Sequence, residues 1–355
     1  MTGGGPRVRD DLEELEGYHS PQVDVAVRLN TNESPYPPPE AWRAALVDEL
    51  AAIPFHRYPD REAKELRTAI GALHGVGPEW VIAANGSNEV IQALCLAFGG
   101  AGRSAAVFRP SYLMHSQIAR ITGTAVVEGE RDADFKLDLE EVERVVTTHE
   151  PALTFLCSPN NPTGMLEPEE AIARVLELTP GLVVVDEAYG QFAPRSAIEQ
   201  VYEGRPLVVT RTFSKTWSMA AARLGYLIAP PDIVRALEGV LLPYHLDTMK
   251  QAAGRLALRF KAEMEERVSS IIEERGRLVA ALSELPVDTW PSAANFVLFR
   301  PHTKDGDKVW EELVERSVLV RNCTGWPRLD GCLRVTVGTA AENSAFLSAL
   351  GEVLA

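Results

Sequence analysis

Four short apolar runs in the middle of the chain each end in residues that can do chemistry. Residues 105–108 (AAVF) are followed by Arg109, Pro110, Ser111 and Tyr112, and residues 153–157 (LTFLC) by Ser158-Pro159-Asn160-Asn161-Pro162-Thr163-Gly164. Residues 182–185 (LVVV) lead into Asp186-Glu187-Ala188-Tyr189, and residues 207–210 (LVVT) into Arg211-Thr212-Phe213-Ser214-Lys215. Ligands of open α/β sheets bind beyond the carboxyl ends of the strands. An aromatic ring, an amide, a carboxylate, a phenol and a lysine amine would then meet at one sheet edge. Singly, each has a plain structural reading: an Asp after a strand commonly caps a helix, a loop Lys is usually solvated, and SPNNPTG fits a proline-braced turn. Their joint occurrence, in this order, calls for a shared explanation.

The residue types match what pyridoxal 5′-phosphate requires. A lysine holds its aldehyde as an internal imine, here Lys215, and makes exchange with a substrate amine fast. A carboxylate beside the pyridine nitrogen, Asp186, keeps that nitrogen protonated so that the ring acts as an electron sink. An amide and a phenol, Asn161 and Tyr189, suit the ring O3′, and an aromatic face, Tyr112, suits the ring plane. The phosphate needs a helix N-terminus with small residues and a cation. Gly86-Ser87-Asn88 opens a helical pattern, and Ser214 and Arg223 flank the lysine segment. Gly86-Ser87 also reads as an ordinary helix cap; both readings can hold at once.

The elements that must position these groups follow from periodicity. Residues 88–98 place Val90, Ile91, Leu94, Ala97 and Phe98 on one helical face. Apolar runs at 105–108, 124–127, 153–157, 182–185, 207–210 and 224–229 alternate with helical stretches such as 139–147 and 168–178. This predicts an α/β domain with a mostly parallel sheet covered by helices. A long amphipathic helix is expected over about 245–285, then strands at 295–299 and 333–337 in a smaller α+β unit. Helical periodicity also runs from Glu40 to Leu50. The first forty residues, ending in Pro35-Tyr36-Pro37-Pro38-Pro39, read as an irregular arm. The expected division is an arm over 1–40, a large cofactor-binding domain over 41–240 and a small C-terminal domain over 241–355.

Composition narrows the alternatives. The chain has 355 residues, 46 % hydrophobic and 24 % charged, which suits two domains sharing a cleft. A formal net charge of −15 argues against nucleic acid as a partner. The four cysteines lack CxxC spacing and read as reduced thiols, and the seven scattered histidines suggest no metal site. Neither a signal-peptide pattern nor a membrane-length apolar run is visible, so a cytoplasmic location and no membrane partner are expected. Gly99-Gly100-Ala101-Gly102 follows a helix and precedes a strand, the reverse of a dinucleotide fingerprint, and there is no GxSxG elbow.

The motifs RLNTNESPYPPP, RYPD, NGSNE, RPSY, SPNNPTG, VVVDEAY, RTFSKTWSMAAARLGY, ANFVLF and CLRVTVGT, spread over residues 29–339, resemble the histidinol-phosphate aminotransferase family. That family belongs to the fold-type-I pyridoxal-phosphate enzymes. The resemblance implies a mostly parallel, seven-stranded large-domain sheet, a smaller α+β domain and an N-terminal arm. It implies that Lys215 forms the Schiff base and shuttles the proton. It also implies that Asp186 pairs with the pyridine nitrogen, that Asn161 and Tyr189 bond O3′, and that Tyr112 stacks on the ring. Gly86, Ser87, Asn88, Ser214 and Arg223 would hold the phosphate. Tyr58 would reach the cofactor phosphate of a neighbouring subunit, making a homodimer with shared active sites. Tyr18 and Asn32 would lie in the arm that closes over substrate. Two positions depart from the pattern: Asn88 stands where relatives more often carry an acid, and Ala221 where they commonly carry Gly.

Two arginines bear on the amino donor. Arg334, in CLRVTVG, matches the family residue that grips the substrate's anionic group, and Arg321, in VLVRNC, matches a second one nearby. A phosphate monoester carries up to two charges and three acceptor oxygens, so a pair of guanidiniums suits it. The implied reaction is L-histidinol phosphate plus 2-oxoglutarate giving imidazole acetol phosphate plus L-glutamate, a step of histidine biosynthesis. An aromatic amino-acid (phenylalanine) aminotransferase and a threonine-phosphate decarboxylase are rival readings within the same fold. An aminotransferase-like transcription regulator is a rival from another class, disfavoured by the short arm and the negative charge.

Overall fold

The computed structural model describes residues 7–13, 15, 17 and 21–355. After a short arm strand, β1 (Val27–Leu29), come helices α1 (Glu40–Ala51) and α2 (Lys64–His74). The central run is β2 (Val81–Ala84), α3 (Ser87–Phe98), β3 (Ser104–Arg109), α4 (Leu113–Ile121), β4 (Ala125–Glu130), α5 (Leu139–His149), β5 (Leu153–Cys157), α6 (Glu169–Leu178), β6 (Leu182–Asp186), β7 (Leu207–Thr212) and β8 (Gly225–Ile228). Helices α7 (Pro231–Glu238), α8 (Thr248–Ala257) and α9 (Lys261–Leu282) follow. The chain ends with β9 (Val287–Thr289), β10 (Phe296–Pro301), α10 (Gly306–Glu315), β11 (Val318–Asn322), β12 (Leu333–Thr336) and α11 (Ala340–Leu354).

Strands β2 to β8 form one seven-stranded sheet, in the order β2-β8-β7-β6-β5-β3-β4. β3 to β7 are mutually parallel, and β8 runs against both its neighbours. The strands read as unbroken apolar runs because helices cover both faces. One layer packs Val90, Ile91 and Leu94 of α3 and Ile118 of α4 against the sheet. The other packs Val142, Val145 and Val146 of α5 and Ile172 and Val175 of α6. Local chemistry sets several helix starts. Asp138 accepts from the nitrogens of Glu140 and Glu141 at the head of α5, and Thr339 and Glu342 form a reciprocal capping box on α11.

A second sheet has the order β1-β11-β12-β10-β9. Its member β1 corrects the expectation of a wholly irregular arm, since Val27–Leu29 pair in parallel with Val318–Val320. Three residues at a sheet edge carry too little alternation to be read from sequence. The helix expected over 245–285 is likewise two helices, separated by a tighter turn at Leu258–Phe260. Its first part packs on α1 and α2, and its second part on α11 and the five-stranded sheet. The chain bends where it changes partner. All four cysteines are buried free thiols. No helix among the described residues is long and apolar enough to cross a membrane.

Behind the carboxyl ends of β6 and β7 lies a buried ion pair. Arg211 Nε and Nη2 donate to one Glu187 oxygen at 2.9 and 2.6 Å, and Ser196 Oγ and Ala197 N complete the carboxylate's shell. Arg211→Met should strand the Glu187 charge in the interior and cost about 3–5 kcal/mol, read as a fall in the urea midpoint. Adding Glu187→Met should recover much of that loss. An unchanged midpoint in the single variant would show that the two charges do not depend on each other.

Candidate active site

Because β3, β5, β6 and β7 are parallel neighbours, their following loops open on one sheet edge. There they border a cleft of about 380 Å³, within the roughly 300–1000 Å³ that small-molecule and cofactor sites occupy. The loops are tied to one another: Asn160 Nδ2, after β5, donates to Pro110 O after β3 at 3.1 Å.

Asp186, the last residue of β6, is 1 % exposed and fully engaged. Thr210, its register partner on β7, donates to Oδ1 at 3.0 Å, and Ala188 N donates to the same oxygen at 3.1 Å. His115 Nε2 lies 3.0 Å from Oδ2. The imidazole is itself fixed, stacked on Phe155 with centroids 4.9 Å apart and met edge-on by Tyr112. His115 was not singled out from sequence. Its signal was present, since it follows Tyr112, the N-cap of α4, by only three residues.

Lys215 Nζ donates to Thr31 O at 3.0 Å, so the arm supplies the amine's contact in this structure. Burial, with the charges of Arg334 and Arg223, pushes the amine down to about 7, while nearby Glu33 opposes them. Tyr189 is pushed up to about 12, chiefly by burial, so its phenol keeps its proton. The phenol accepts from Asn32 Nδ2 at 3.0 Å. Asn32 adopts a left-handed backbone (φ 54°) and is held on β12 by Thr336 Oγ1. Arg334, from β12, donates to Asn161 Oδ1 and to Asn30 O, with its guanidinium 5.0 Å from the Phe296 ring centre. The cleft thus has a floor from one sheet and a wall from the other.

At the far end, α3 begins at Ser87 behind Gly86, whose φ of +86° is open to glycine. A Cβ at Gly225 would meet Ser87 N at 2.3 Å, so β8 approaches this helix start more closely than any side chain would allow. Arg223, also left-handed (φ 51°), donates from Nη1 to Ser214 Oγ at 3.2 Å. Its Nη2 lies 3.0 Å from where a Gly86 Cβ would sit. Tyr112 lines the cleft and donates to Asn88 Oδ1 at 3.2 Å. A helix N-terminus, two hydroxyls and a guanidinium therefore converge, a composition that suits a phosphate.

Two of the residues selected from sequence stand away from the cleft. Tyr58 is 81 % exposed and stacks on Tyr244 with centroids 4.6 Å apart. Arg321 is buried directly opposite Arg334 in register, but it does not line the cleft. Tyr18 lies outside the described residues. Glu33 and Trp326 line the cleft without having been selected. Among the described residues no group of three or more His, Cys, Asp or Glu could hold a metal ion.

Comparison with known proteins shows the family. The family model for aminotransferase class I and II matches residues 24–350. The histidinol-phosphate aminotransferase of Streptomyces avermitilis is 45 % identical over 98 % of this chain and 96 % of its own length. That of Corynebacterium diphtheriae is 41 % identical over 98 % and 96 %. Among solved structures, the Sinorhizobium meliloti histidinol-phosphate aminotransferase, in complex with pyridoxal-5′-phosphate, superposes with a TM-score of 0.90. It covers 100 % of this chain and 99 % of its own, at 24 % identity. The chain belongs to the class I and II aminotransferases and, within them, to the histidinol-phosphate aminotransferase family.

Proposed function

We propose that the chain transfers the amino group of L-histidinol phosphate to 2-oxoglutarate, giving imidazole acetol phosphate and L-glutamate, with pyridoxal 5′-phosphate attached through Lys215. The observation that carries the chemistry is the Lys215 amine, depressed to about 7, in one cleft with the Asp186 carboxylate and the Arg334 guanidinium. The named activity of relatives 41–45 % identical over nearly the whole chain supports the choice of donor.

The residues present fit the cofactor. The glycine-lined cradle at Gly86 and Gly225 leaves the Ser87 nitrogen and Arg223 clear for a phosphate, and Asp186 keeps its carboxylate fixed by three partners at the opposite end. Bound there, pyridoxal phosphate supplies an aldehyde for the lysine amine and a pyridinium ring that draws electron density from the substrate Cα. Asp186 would hold a proton on that ring nitrogen, and His115 and Thr210 hold Asp186. Asn161 and Tyr189 would hold the ring hydroxyl, Tyr189 as a donor because burial keeps its phenol protonated. Lys215, its amine pushed down to about 7, would accept the proton from the substrate Cα. Arg334 fixes the anionic group, so that Cα is presented to Lys215.

The assembly is part of the same proposal. The described arm residues from 21 to 40 and the unit 241–355 face the unit 41–240, with Arg321 and Arg334 from one sheet and Lys215 and Asp186 from the other. The exposed Tyr58–Tyr244 stack supports a homodimer in which Tyr58 reaches the partner's cofactor phosphate. The setting is cytoplasmic.

Steady-state kinetics test the substrate. Histidinol phosphate should exceed phenylalanine and threonine phosphate in kcat/KM by at least about 100-fold, as a site built around buried polar contacts discriminates. A higher value for phenylalanine would overturn the donor assignment. The depressed amine gives a pH test. Only neutral Lys215 attacks the aldehyde, so the rate at which apoprotein takes up pyridoxal phosphate should rise through pH 7 and level off above it. A rate still climbing towards pH 10 would mean that the amine keeps an ordinary lysine affinity for its proton.

A further inference from the structure

Trp326 sits in the loop joining β11 to β12, in none of the motifs that carry the family likeness. Its side chain is partly buried and borders the same cleft as Arg334, Lys215 and Tyr112. The guanidinium carbon of Arg321 lies 5.2 Å from the centre of its ring. Arg321 and Arg334 are directly opposed across β11 and β12, so their side chains leave the same face of the sheet. Arg334 and Trp326 border the cleft, and Arg321, which does not, lies against the indole.

The loop is pinned, so the indole is not placed by chance. Trp326 N donates to Cys323 O at 2.9 Å, and Leu329 N donates to Trp326 O at 3.1 Å. Leu329 is fully buried with Phe135, Leu298 and Cys332. The Arg328 side chain reaches across to the carbonyls of Arg131 and Asp132, just after β4. Both sheets' loops thus hold the indole in place.

We propose that Trp326 is a positioning residue that sets the preference for a phosphate-bearing donor, an inference that rests on the function proposed above. Guanidinium planes stack well on aromatic faces. The indole keeps Arg321 beside the cleft wall at a fixed height, where it adds a second cation to that of Arg334. A phosphate monoester, with two charges and three acceptors, draws on both. A donor with a neutral alcohol in its place draws on neither, and it is indifferent to where Arg321 rests.

The test compares L-histidinol phosphate with L-histidinol as donors in the holoenzyme. Trp326→Phe keeps an aromatic face, and Trp326→Leu keeps apolar bulk without one. Trp326→Leu should lower kcat/KM for histidinol phosphate roughly 3- to 10-fold, mostly through KM, as expected for a lost cation–π contact. It should leave L-histidinol nearly unchanged, and Trp326→Phe should retain most of the preference. In an Arg321→Ala background, Trp326→Leu should cost nothing further in the ratio of the two donors. Equal losses on both donors, or the same loss without Arg321, would overturn the role. A wild-type enzyme with no preference for histidinol phosphate over L-histidinol would instead overturn the donor assignment itself, and the inference with it.

Discussion

A carboxylate taken out of water costs several kcal/mol unless its surroundings supply partners, and Asp186 is placed almost wholly out of water. Its two oxygens are met by a hydroxyl from the next strand, a nitrogen from its own loop and an imidazole from α4. Each partner depends on a different part of the sheet: β6 and β7 must be parallel and in register, and α4 must pack over β5. The seven-stranded sheet satisfies these demands together. A negative charge then waits at the end of a strand, and the rest of the cleft is arranged around it.

The opposite electrostatic problem is solved at Lys215. The same burial that threatens Asp186 strips the lysine of its proton affinity, and two guanidiniums reinforce the effect. An amine lowered to about 7 and a fully hydrogen-bonded aspartate side chain therefore share one cavity. The second sheet adds what the first cannot supply. Asn32 from the arm and Arg334 from β12 touch Tyr189 and Asn161, so the wall of the cleft from the second sheet is hydrogen-bonded to its floor from the first.

Much of this was legible in the sequence, for a physical reason. Parallel strands buried on both faces are unbroken apolar runs, so their ends are sharp, and the polar residues that follow stand out. That is why Tyr112, Asn161, Asp186 and Lys215 stand out together in the sequence alone. Where contacts are made across the fold, the sequence is mute. His115 lies inside an amphipathic helix and acquires meaning only through a carboxylate 71 residues away. Val27–Leu29 is too short to show a period, and its strand exists because β11 offers an edge. The break at Leu258–Phe260 lies in a continuous charged, amphipathic pattern and is imposed by a change of packing partner. Arg321 matched a family position, but its contact with the Trp326 ring could not be read from spacing.

The proposed covalent anchorage of the cofactor on Lys215 is tested directly by mass spectrometry after borohydride reduction. In protein loaded with pyridoxal phosphate and then reduced, the added mass should map to the peptide carrying Lys215 in each chain, and Lys215→Ala should take up none at that site. A label found on another lysine, such as Lys250 near the start of α8, or no stable label in the wild-type chain, would contradict it.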